Sequence, residues 1–77
     1  MLKPQEVLDR YYLETRCMLL ETAAVLDRYD AAVQRMGAPA QDEIKLEVLH
    51  KALHVLADAK SSDRAEELLN LFVEVPT

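Results

Sequence analysis

The stretch PQEVLDRYYLETRCMLLETAAVLDRYDAAVQRM, from Pro4 to Met36, decides the fold. Within it Leu8-Asp9-Arg10-Tyr11 recurs as Leu26-Asp27-Arg28-Tyr29, 18 residues later. At 3.6 residues per turn that interval is about five whole turns, so each residue of the repeat returns to the same side of a helix. No Gly and no Pro lies between the copies, and apolar residues recur at helical spacing, which predicts one unbroken helix. Pro4 suits its first position, where the missing N–H costs nothing, and Glu6 lies near the positive end of the dipole. Gly37 can take the left-handed conformation that ends a helix, and Pro39 blocks continuation. A helix over residues 4–36 would be about 50 Å long.

Working outward, Pro39 is expected to open a second helix over about residues 40–60, with Asp42 and Glu43 in its first turn and the charge of Lys60 at its C-terminus. Ser61-Ser62-Asp63 offers N-cap candidates, and Asp63 with Glu66 has capping-box spacing, so a third helix is expected over 63–73. Pro76 ends regular structure. The two shorter helices together have about the length of the first, and short connections would let both fold back along it. The expectation is an all-α single domain over residues 1–77. It has one long N-terminal helix with two shorter helices packed back along it, three-helix bundle-like and completed by dimerisation.

The totals point the same way. A chain of 77 residues buries only about 60% of the surface its unfolded form exposes, so its own core is marginal without disulfides, metals or oligomerisation. Cys17 is the single cysteine, which excludes an internal disulfide and suits a reducing, cytoplasmic setting. Lys3, Pro4, Glu6, Asp9 and Arg10 interrupt any apolar run near Met1, so no signal peptide is expected. Nor is a membrane span, which needs about 20 apolar residues in a row. Fourteen acids against nine bases give a net charge of −5, and an acidic surface repels phosphate backbones and anionic lipid. Nucleic acid and membrane are therefore not expected partners. With 51% hydrophobic residues and one Gly, the chain is too apolar for disorder.

The first helix carries two apolar stripes. The wider runs from Val7, Leu8 and Tyr11 through Met18 and Leu19 to Val33 and Met36, and reads as a core face, with Tyr11, Tyr12 and Tyr29 packing their rings along it. The narrower holds Leu13, Cys17, Leu20, Ala24 and Ala31 and lies roughly opposite, separated by charged rows. Helix two shows a similar excess, with Leu46, Leu49, Leu53 and Leu56 in one stripe and Ile44, Val48, Val55 and Ala59 beside it. A single layer of helices cannot cover both faces of a long helix. The narrower stripe is therefore expected to be a subunit seam, joining a homodimer or docking another protein. Cys17 has no His and no basic residue at i±3 or i±4 to activate it, and reads as a small buried apolar residue.

Few residues suggest chemistry. Glu43, Glu47, His50 and His54 share one polar arc of helix two. His50 and His54 are four apart, a spacing that lets two imidazoles hold one metal ion. Glu47-Val48-Leu49-His50 also matches the Glu-x-x-His spacing of di-iron bundles, to which Glu14 or Glu21 would add a carboxylate. A half-ferritin-like metal-binding bundle, holding iron or zinc, is therefore the alternative reading. Against it, the arc lies away from the leucine stripe, whereas di-iron ligands point inward, and a solvated face explains the same residues. No phosphate loop is possible with Gly37 alone, and no catalytic triad follows from the spacing.

Three resemblances bear on function. One long and two shorter helices with Arg10, Arg16, Arg28 and Arg35 resemble the small all-helical chorismate mutases, whose arginines bind a dicarboxylate. The basic pattern that resemblance needs on helix two is missing, where only Lys45, Lys51 and Lys60 stand. Acyl carrier proteins are also acidic and helical, but their Asp-Ser-Leu attachment motif has no counterpart at Ser61 or Ser62. The segment LDRYYLETRCMLLETAAVLDRYD is similar to the opening of small uncharacterised all-α bacterial proteins, a likeness that implies helical structure and no activity. The expected function is a non-enzymatic helical interaction or oligomerisation module with no cofactor.

Overall fold

A computed structural model describes residues 1–58, 60, 62–73 and 75. Three helices form, α1 over Pro4–Met36, α2 over Ile44–Ala57 and α3 over Arg64–Val73, and no strand occurs among the described residues. The all-α expectation holds. The chain divides into two compact units, Met1–Pro39 and Ala40–Thr77.

Both ends of α1 are set by the residues expected to set them. The Lys3 N–H donates to Glu6 Oε1 at 3.1 Å, one half of a capping box whose other half Lys3 has no acceptor to supply. Gly37 takes φ 74° and ψ 14° and donates its N–H to the Val33 carbonyl at 2.8 Å, satisfying a carbonyl that the helix end would otherwise leave open. Between the caps, Thr22 Oγ1 donates to the Met18 carbonyl at 3.0 Å, and Gln5 Nε2 donates to Asp9 Oδ1 at 3.0 Å.

The second helix is shorter than expected at both ends. Asp42 does not enter it: its Oδ1 accepts from the Ile44 N–H at 2.9 Å, a side-chain turn that competes with helical continuation and starts α2 at Ile44. Asp58 does the same at the other end. Its backbone is extended, with φ −73° and ψ 110°, and its Oδ1 accepts from the Lys60 N–H at 2.9 Å. Lys60 therefore stands outside α2. The Asp63 carbonyl accepts from the Glu67 N–H at 3.0 Å, the first helical bond of α3. Ala59, Ser61 and Pro76, expected as a flank, a cap and a terminator, lie outside the described residues.

Helices α2 and α3 pack together. Ala52, 6% exposed, is the buried residue of the described core. It lies on the boundary between the two stripes read in helix two. Leu46, Val48, Leu53 and Val55 around it are half-buried, as are Leu68 and Leu71 on α3. Arg64 ties the two helices at their connection, its Nη2 donating to the Asp58 carbonyl at 2.6 Å.

Candidate interaction surface

No residue of α1 is buried. Val7, Leu8, Tyr11, Tyr12, Met18 and Leu19 of the wider stripe are exposed, while Leu26, Tyr29 and Val33 further along are half-buried. The exposure of Val7 to Leu19 departs from the reading of that part of the stripe as a core face. The two copies of the Leu-Asp-Arg-Tyr repeat differ accordingly, since Leu8 and Tyr11 are exposed and Leu26 and Tyr29 half-buried. Arg10 lies over the Tyr11 ring, 5.9 Å from its centroid.

The residues assigned to the seam stand along the opposite side of α1. Leu13, Leu20 and Ala31 are exposed, and Ala24 is half-buried. Cys17 is an exposed free thiol, not the buried apolar residue expected, because nothing in its own unit packs over the middle of α1. A shallow recess of about 340 Å³ lies between the faces, lined by Tyr12, Thr15, Arg16, Leu19 and Leu20. It is almost wholly apolar and opens along the helix, so it offers shape and hydrophobic area but no converging polar groups.

On α2, Glu47, His50 and His54 are exposed and Glu43 is half-buried. Among the described residues, no three His, Cys, Asp or Glu side chains gather closely enough to hold a metal ion. The backbone uses two of these positions for ordinary helical bonding: Glu43 accepts from the Glu47 N–H at 2.9 Å, and His54 accepts from the Asp58 N–H at 3.1 Å. No described helix is long and apolar enough to cross a membrane. Sequence reasoning missed Ala52, which looked neutral between two leucine-rich stripes, and Arg64, whose length and position just after a break were the available signals.

Compared with family models, with curated proteins and with solved structures, the chain matches none.

Proposed function

We propose that this protein is a non-enzymatic, cytoplasmic interaction module that self-associates through α1. One observation carries the reading: large apolar side chains stand exposed along a 33-residue helix with no buried residue. A helix of this kind derives most of its stability from burying an apolar face against a partner. A monomer rarely leaves so long an apolar patch in water.

The contact falls on the wider stripe. With Val7 to Leu19 of the wider stripe exposed, its Val, Leu, Met and Tyr side chains outweigh Leu13, Cys17, Leu20 and Ala31 of the other face in area available for burial. Native mass by light scattering behind size exclusion is the test, and a dimer is the expected result. A monomer at every accessible concentration would sink self-association and leave α1 as a docking face for a different protein.

A further inference from the structure

The wider face of α1, exposed from Val7 to Leu19 and half-buried at Leu26, Tyr29, Ala32 and Val33, has a finer order than an apolar stripe. Written in sevens, its two seam positions are Leu8, Thr15, Thr22, Tyr29 and Met36, alternating with Pro4, Tyr11, Met18, Val25 and Ala32. These alternate at spacings of three and four, the pattern of a coiled-coil seam. One flank of the seam is apolar, with Tyr12, Leu19, Leu26 and Val33 at successive sevens. The other flank is charged, and its charges are sorted: Glu14, Glu21, Arg28, Arg35. All four are exposed. Neither Glu21, Arg28 nor Arg35 has an opposite charge three or four residues away in α1, so the helix does not neutralise them by itself.

Two negative charges followed by two positive ones on the same flank fit one arrangement. When two copies of such a helix run antiparallel, each flank meets the same flank of its mate, whereas parallel copies set the charged flank against the apolar one. We propose that α1 pairs with α1 of a second copy in antiparallel orientation about a two-fold axis near Ala23 and Ala24, its charged flanks locking the register. This rests on the self-association proposed above and adds orientation and register to it.

One register satisfies every row at once. Glu14 meets Arg35 of the second copy and Glu21 meets Arg28, each pair occurring twice by symmetry. In the seam the same register sets Thr22 against Val25 and Met18 against Tyr29, small with small and thioether with ring. On the apolar flank it sets Leu19 against Leu26. A parallel pair would instead stack each layer on itself and bring like charges to the same level on the two helices.

Charge reversal tests the register without touching the apolar seam. Two variants are made, Glu14→Arg with Glu21→Arg, and Arg28→Glu with Arg35→Glu, and their dissociation constants are measured by sedimentation with helicity followed by far-ultraviolet circular dichroism. Each variant alone places four like-charged contacts across the seam. Each is expected to self-associate at least about tenfold more weakly at low salt, a gap that narrows at about 1 M salt. Mixing the two variants, or combining all four substitutions in one chain, restores opposite charges in every pair and is expected to restore the dimer. A wild-type monomer overturns self-association itself. A dimer whose affinity ignores the reversals, a combined variant that is helical yet not restored, or a wild-type trimer overturns the antiparallel pairing and leaves self-association standing.

Discussion

Gly37 shows how much of α1 depends on a single backbone angle. Its φ of 74° lies in the region that a side chain disfavours, yet a Cβ placed there would meet nothing within 4 Å. Gly37→Ala should therefore cost about 1 to 2 kcal/mol through backbone strain alone. Gly37→Asn should cost less, because Asn tolerates the left-handed region. Thermal unfolding followed by circular dichroism separates the two, and equal losses would point to a steric origin. Beyond the second helix, Arg64 donates to the carbonyl of Asp58, the residue that ends α2, while its Nε is buried without a partner among the described residues. Arg64→Met keeps most of the stem and removes the donor. It should lower stability by about 1 kcal/mol, read in urea melts, because the Asp58 carbonyl then relies on water.

At the scale of the helix, α1 was legible from end to end because its signals are local: an 18-residue repeat, Pro at the start, Gly and Pro at the stop. The limits of α2 were not legible, since they depend on whether Asp42 and Asp58 spend their carboxylates on neighbouring N–H groups or leave them in water. A helical pattern in the sequence does not distinguish those two states of an aspartate. The contact between α2 and α3 was hidden for a related reason. Ala52 is read by any hydrophobic count as a weak core candidate, because a methyl group adds little apolar area. Ala52→Leu should overfill its buried site and destabilise the protein by about 1 to 3 kcal/mol. Ala65→Leu, at an exposed position of α3, should stay within about 0.5 kcal/mol of the wild type. Similar losses from both would remove the case for a tight contact at Ala52.

For the molecule as a whole, one of the described residues is buried, Ala52, and folding of so small a core draws on association. Thermal stability should then rise by several degrees over a hundredfold increase in protein concentration, because the partner is another copy of the chain. A melting temperature independent of concentration would argue for a self-sufficient monomer. Neighbouring leucines separate the two faces of α1: Leu19 is 55% exposed on the wide stripe and Leu20 is 60% exposed on the narrow one. Leu19→Glu should leave the protein monomeric, since the charge would be buried without a partner. Leu20→Glu should keep the wild-type mass, and the opposite result would move the contact to the face of Leu13 and Cys17. The candidate surface was only half legible in the sequence. The excess of apolar residues on the first helix was plain, but the degree to which each stripe is buried follows from tertiary packing, which a periodic pattern does not carry.

The position of α1 ahead of α2 and α3 has a consequence in time. A helix forms within about a microsecond of its residues becoming free, while a ribosome adds about 5 to 20 residues per second. Residues 40–77 take about 2 to 8 s to synthesise, and because the chain leaves the ribosome from its N-terminus, α1 comes free ahead of the second unit. Ribosomes following one another on a single message would hold several such helices close together at high local concentration. Subunits that pair through α1 can thus meet while still being made, and a dimer would tend to join two chains of the same transcript.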